Sequence, residues 1–304
     1  MPTLRQIEIV MRLAETGNMG EAALSLGLTQ PALSQQLKTL EDRLGLKLFE
    51  RVPKGMQPTP NGRELLGKAK AVVSSMRDLR DAADRLAARP AGSIRFGVTP
   101  TLGPYVMPRV IKLVHERYPD LRLFIREGIP SVQQAELAAG ELDMVLSPLP
   151  IAGKNLHIEP LFRERLRIVA PPDDALVGKE ALTPDDFRNR TFLTLDHRHH
   201  YHRQLVEICD RLGASFLADY EGTSLDAVQQ MVGSGVGLAL LPELYIRSEA
   251  GGLDVVEIVE PEGWSEHRSI AAAWRANAAF ADLYANVASI VATVGRNRTE
   301  PGDA

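Results

Sequence analysis

AALSLGLTQPALSQQLKTLEDRLGLKLFERVPKGMQPTPNG, residues 22–62, holds the strongest structural signal in the chain. It opens inside a short segment, Met19 to Leu26, whose small residues would let another helix press close, and Gly27 supplies the tight turn that ends it. Thr29 stands where it can cap the next helix, and Pro31 falls in that helix's first turn, where a missing N–H is harmless. The predicted second helix is QPALSQQLKTLEDRLG. Ala32, Leu33, Leu37, Leu40 and Leu44 form its apolar side, while Gln30, Ser34, Gln35 and Lys38 share the other. Two helices joined by a short Gly-containing turn describe a helix-turn-helix. Upstream, Leu4, Ile7, Val10, Met11 and Ala14 recur at helical spacing, and Gly17-Asn18 breaks that first helix.

The polar side of an isolated helix needs no explanation beyond solvation. Here the turn, the cap and the basic residues that follow favour nucleic acid. Glutamine can hydrogen-bond adenine edges in the major groove, and serine and lysine reach bases or phosphates. Short apolar pieces around Pro53-Lys54-Gly55 predict a small hairpin wing, with Arg51 and Lys54 near the DNA backbone or minor groove. Beyond it, Leu65, Ala69, Val72, Met76, Leu79, Ala83 and Leu86 alternate spacings of four and three. This heptad seam predicts a paired helix, which would set two recognition helices about one DNA turn apart. Arg89-Pro90-Ala91-Gly92-Ser93 then marks a hinge.

Charge divides the chain in the same place. Residues 1–90 carry a net +4 and the remainder −8, so a polyanion suits only the head. No apolar run is long enough to span a membrane, and the first residues lack the pattern of a signal peptide. With one cysteine, Cys209, and no export signal, a cytoplasmic protein is expected. Phosphate loops, nucleophile elbows and HExxH metal motifs are absent, so neither an enzyme nor a resident cofactor is expected.

In the body, IRFGV, LRLFIRE, MVLSPL, LRIVAPP, TFLTL, VGLALLP and HRSIAAAW read as strands separated by helical stretches, which predicts a parallel α/β sheet. The length of the repeat suggests two lobes, with the chain crossing near 165 and returning near 267. Ligands in such folds sit at strand ends and helix N-termini between lobes. Thr99-Pro100-Thr101 follows the first strand, Ser147 ends the third, and Thr223 and Ser224 open a late helix. Ser131 opens the SVQQAELAAGELD helix and joins this set. Free N–H groups and hydroxyls at such places suit a carboxylate or another anion.

The stretch over 22–62 closely resembles the winged helix-turn-helix signature of LysR-type transcriptional regulators. The resemblance implies that Thr29, Gln30, Pro31, Ser34, Gln35 and Arg51 lie at DNA-contacting positions. It also implies a long linker helix and a two-lobed effector domain similar to a periplasmic binding protein. The expected α/β architecture is therefore a winged helix-turn-helix over 1–60, a linker and dimerisation helix over 61–90 and an effector domain over 91–304. Lobe I would take 91–164 and 268–304, and lobe II 165–267. The expected partners are double-stranded operator DNA, a small anionic effector and further copies of the chain, in a homodimer through the linker helix and a homotetramer.

One stretch, LTLDHRHHYHRQLVEIC at 193–209, puts four of the seven histidines into positions 197–202 and ends on Cys209. With VTPTLGPYVMP and GTSLDAVQQMVGSGVGLALLP, it resembles the peroxide-sensing, OxyR-type branch of that family. There, a reactive cysteine follows a histidine and precedes a second cysteine by nine residues. Counting back from Cys209 reaches His200, with His199 before it, so the resemblance implies that histidine holds the reactive position. An imidazole cannot climb to a sulfenic acid. Three readings of the cluster stay open: a wall of the effector pocket built from His199 or His200, an exposed turn, or a metal site using His199, His202 and Asp196. The first supports a regulator answering a small molecule. A metal- or redox-responsive regulator using His197–His202 is the alternative, and a body that only assembles oligomers is a third.

Overall fold

The computed structural model describes residues 2–53, 55–86, 92–222, 224–248 and 255–299. It separates into two compact units, residues 1–83 and 84–304.

In the first unit, α1 (Leu4–Thr16), α2 (Met19–Ser25) and α3 (Gln30–Leu44) precede a hairpin of β1 (Phe49–Val52) and β2 (Gly55–Pro58), followed by α4 (Pro60–Leu86). Each of the first three helices is capped by its own sequence. Thr3 and Gln6 form a capping box on α1, Asn18 accepts from Gly20 and Glu21 N–H groups, and Thr29 accepts from Ala32 N–H. Gly17 and Gly45 end α1 and α3 in the left-handed conformation. Ile9, Val10, Leu13, Ala22, Ala23, Leu33, Leu37 and Leu40 form the core with Leu48 and Phe49. Ala32, expected on the apolar side of α3, is exposed instead. Its Cβ lies in the first turn, beyond the reach of that core. The buried Glu41 carboxylate accepts from the backbone N–H groups of Leu48 (2.8 Å) and Phe49 (3.3 Å) and from Lys47, which fastens the hairpin to α3.

The second unit runs β3 (Ser93–Val98), α5 (Gly103–Arg117), β4 (Arg122–Glu127), α6 (Pro130–Ala138), β5 (Met144–Pro148) and β6 (Leu156–Ala170). After a 3₁₀ turn at Pro184–Phe187 come β7 (Thr191–Leu195), α7 (His200–Leu212), β8 (Ser215–Gly222), α8 (Leu225–Gly233) and β9 (Ala239–Pro242). The chain continues through α9 (Glu243–Ile246), β10 (Glu257–Ile258), β11 (His267–Arg275) and α10 (Ala281–Thr299). One sheet has the order β10-β6-β11-β5-β3-β4 with β9 also on β6, and β7 pairs β8 apart from it.

The expected purely parallel sheet is corrected here. β3 pairs β4 and β5 in parallel, and β7 pairs β8 in parallel, but β6, β9, β10 and β11 join antiparallel. The cause is the length of β6. Residues 156–165 pair with β11, and residues 166–170 pair with β9 and β10, so one strand serves two regions without a crossover helix. Neither β8 nor β10 is among the strands expected from the sequence, and β10 is only two residues long. Gly295 of α10 sits where any Cβ would collide with the Phe162 ring, so that helix lies directly on β6. No helix among the described residues is long and apolar enough to cross a membrane.

Candidate functional site

The face of α3 opposite the core is open to solvent. Thr29, Gln30, Pro31, Ser34, Gln35 and Lys38 are all exposed, as is Arg51 on β1. The pattern arises because Leu33, Leu37 and Leu40 occupy the inward positions, and the residues between them face out. Lys54 lies outside the described residues.

In the second unit, the C-terminal ends of β3 and β5 face the start of α7 across a cavity of about 310 Å³. Its walls include Thr99, Thr101, Pro130, Pro148, Leu149, Leu166, His199, His200, Arg203, Gln204, Glu207 and Arg268. Four of the eight predicted ligand residues, Thr99, Thr101, His199 and His200, thus meet in one place. Ser131, Ser147 and Ser224 are not among the lining residues. Ser147 is buried and donates to the Pro148 carbonyl, and Ser224 caps α8 by accepting from Ala227 N–H. Thr223 lies outside the described residues.

Arg268 organises the base of this cavity. Its Nε donates to Glu164 at 2.7 Å, and its two terminal nitrogens donate to the Thr101 hydroxyl and the Thr101 carbonyl, each at 2.8 Å. Glu164 is fully buried and also accepts from Leu244 N–H at 2.8 Å. Burial pushes the Glu164 carboxyl up from its ordinary range, while Arg268 and the Leu244 N–H oppose the rise. A guanidinium carries five N–H donors. Three are engaged here, which leaves capacity for an anion. Arg268 is not among the residues expected from the sequence, although an arginine inside the apolar run HRSIAAAW is a signal that could have found it.

The histidines separate into different roles. His199 is the N-cap of α7 without a side-chain cap bond, so the first-turn N–H groups receive no side-chain acceptor from it. His200 Nδ1 lies within hydrogen-bond range of the Arg203 guanidinium. Arginine only donates, so Nδ1 accepts and the proton sits on Nε2. Burial, reinforced by Arg203, pushes His200 down to about 4, and burial also lowers His199. Both rings are therefore neutral near pH 7. His202 stands apart: its Nδ1 is 2.9 Å from the Thr194 hydroxyl, which donates onward to the Leu195 carbonyl, and its ring meets Phe216 edge-on. His197 is exposed beside Asp196. No group of three or more metal-ligating side chains converges among the described residues. Cys209 is buried on the inner side of α7, its sulfur 3.7 Å from the Ser215 carbonyl, and burial pushes the thiol up to about 11.

Comparison with known proteins places this arrangement. Residues 4–63 match the model for the bacterial regulatory helix-turn-helix protein of the lysR family, and residues 87–289 match the LysR substrate binding domain. A "Probable hydrogen peroxide-inducible genes activator" from Streptomyces viridosporus is 34% identical over 292 residues, covering 95% of this chain and 93% of its own. The DNA-binding transcriptional dual regulator OxyR of Escherichia coli K12 is 28% identical over 290 residues, with coverage of 95% and 94%. A full-length OxyR variant from Pseudomonas aeruginosa superposes with a TM-score of 0.74 at 26% identity over 99% of this chain and 98% of its own. A hydrogen-peroxide-bound OxyR variant from Corynebacterium glutamicum does so at 0.65 and 28%, over 98% and 94%. These relatives are regulators of transcription, not enzymes. With both domain models matched along its length, the chain belongs to the LysR family of DNA-binding transcriptional regulators.

Proposed function

We propose that this regulator answers a small, anionic or strongly polar effector held in the cavity between Thr101 and His200. The observation that carries this reading is the convergence of Thr101, Arg268 and the His199–Arg203 turn, drawn from three distant parts of the chain, on one cavity. The unused N–H donors of Arg268, the Nε2–H of His200 and the first turn of α7 all favour an oxygen acceptor. Neutral histidines donate without adding a charge to be desolvated. The cavity lies against β6 and β11, so a ligand that draws the α7 side toward Thr101 acts on the strands that serve both sheet regions.

On the DNA side, Gln30, Ser34 and Gln35 read bases, Thr29, Lys38, Arg51 and Lys54 hold the backbone, and Pro31 makes apolar contact beside them. Dimerisation through α4 is supported by its exposed stripe of Val72, Met76 and Leu79. The apolar groove lined by Ile7, Val10, Leu44, Leu65 and Val72 lies on the same unit. Two such dimers would then assemble into a homotetramer.

A second reading, peroxide as the signal, is favoured by the names of the relatives. Thiol chemistry fits this chain poorly. Cys209 is its only cysteine, it is buried, and its raised pKa keeps the thiolate scarce. The experiment is thermal stabilisation of the full chain by a panel of small organic acids and by peroxide, with Thr101→Val, His200→Ala and Cys209→Ser alongside. A ligand at about 100 times its dissociation constant adds roughly 2.7 kcal/mol. One acid should stabilise the wild type and Cys209→Ser but not Thr101→Val. A response to peroxide alone that Cys209→Ser abolishes would replace this reading with the thiol one.

A further inference from the structure

The strands that turn Glu164 and Arg268 inward turn a different set of side chains out. Side chains alternate along a strand, so Arg163 and Arg165 of β6 share the opposite face with His267 of β11, which pairs directly with Arg165. With Trp264 and Ser265 they line an open concavity of about 580 Å³, separate from the cavity at Thr101.

This concavity is held in shape. The Trp264 indole N–H donates to the Leu166 carbonyl at 2.7 Å, and its backbone N–H donates to Pro261 at 3.0 Å. The ring packs partly on the body core while lining the concavity. Arg165 donates to the Trp264 carbonyl at 3.3 Å. The neighbouring carboxylates are already engaged: Glu260 with Arg167, and Glu266 with Arg211 at 2.7 Å. Glu260 reaches Arg165 only at 3.5 Å. Among the described residues no carboxylate pairs with Arg163.

Arg163 instead meets Nδ1 of His267 at 3.0 Å, and the same nitrogen lies 3.0 Å from the Ser265 carbonyl. The guanidinium only donates and the carbonyl only accepts. Nδ1 can therefore satisfy one of them at a time. Arg163 and Arg165 also carry like charges two residues apart on one face of β6, with Glu260, 3.5 Å from Arg165, as the nearest carboxylate among the described residues. An oxyanion between Arg163 and Arg165 resolves both conflicts, because it takes the guanidinium and frees Nδ1 to donate to Ser265.

We propose that this concavity is a second ligand site, for a small aryl oxyanion: a flat ring bearing a phosphate or a carboxylate. The oxyanion sits on Arg163 and Arg165, and the ring lies against Trp264.

The test is a titration of the full-length protein with phenyl phosphate and with benzoate, following the indole N–H resonance of Trp264. The chain has two tryptophans, and Trp274→Phe assigns the signal. A saturable shift is expected with at least one probe, and the tighter probe identifies the oxyanion. The Arg163→Gln, Arg165→Gln double variant should weaken binding by about tenfold or more, since each lost charge-assisted bond carries that order of effect. Both arginines are exposed, and an unchanged denaturation midpoint will show that the variant is folded. Thr101→Val should leave the titration as it was, which separates this site from the cavity proposed above. The inference is overturned by no saturable shift with either probe, by a shift that survives the double variant, or by one that Thr101→Val removes. Inorganic phosphate binding as tightly as phenyl phosphate would overturn the stacking role of Trp264.

Discussion

The recognition surface and the Thr101 cavity are built in opposite ways. The first comes from the fifteen consecutive residues of α3, capped by its own Thr29, with the side chains proposed to meet DNA exposed to solvent. The second is assembled from strand ends, a helix start and two paired antiparallel strands, and its central contact joins residues 167 positions apart. The difference teaches where binding and stability separate. Solvent-facing side chains of α3 can change without touching the core that holds the helix. In the cavity, Arg268 belongs to both the proposed ligand surface and the buried scaffold, so its substitution should damage both.

The largest test of that contrast is Arg268→Ala. It strands the buried Glu164 carboxylate and the Thr101 carbonyl, and should destabilise the protein by about 3–5 kcal/mol in urea denaturation. Replacing both ions with apolar residues, Glu164→Leu with Arg268→Met, should recover most of that loss. A double variant as unstable as the single one would show that the ion pair is not what the scaffold depends on.

Gln30→Ala probes the other side of the comparison. Operator affinity should fall by about 1–3 kcal/mol, with a smaller loss on non-specific DNA and no change in melting temperature. Equal losses on the two DNAs in a competition assay would remove base readout from Gln30. Thr29→Ala blurs the contrast on purpose, because Thr29 is exposed yet caps α3. Its loss should lower the stability of the first unit by about 1 kcal/mol, read by calorimetry.

The smallest effect concerns pH. The folded His200 is held down to about 4, whereas an unfolded imidazole takes up its proton near 6.5. Above about 6.5 both forms are neutral and the full stability is present. As pH falls from there toward 4, only the unfolded chain gains the proton, so stability declines through that window. His200→Gln should flatten part of the decline, measured as the change in denaturation midpoint between pH 7 and pH 5. An identical decline in the variant would mean that His200 is not held neutral.

Much of the first unit is legible in the amino-acid sequence. Caps, turns and the apolar spacing of Leu33, Leu37 and Leu40 are local, and the helices form where that chemistry places them. Ala32 departs because periodicity assigns a side but not how far the core extends. In the second unit the strands β3, β5, β7 and β11 are visible as apolar runs, and Thr99 and Thr101 are visible as a strand end. The histidine cluster is visible only as a cluster. Its division into cavity-lining His199 and His200, a bonded His202 and an exposed His197 depends on helical phase at the start of α7 and on what packs against each ring.

Composition, caps and periodicity are enough to establish a helix-turn-helix head on an α/β body, because those features are set by neighbours along the chain. Three things come only from the folded molecule. One is the antiparallel pairing of β6 with β11 across about a hundred residues, for which neither strand carries a local signature. Another is the placement of Arg268 beneath Thr101. The last is the outward turn of Arg163 and Arg165 toward Trp264. All three are consequences of strand register, and register is chosen by the packing of the whole core.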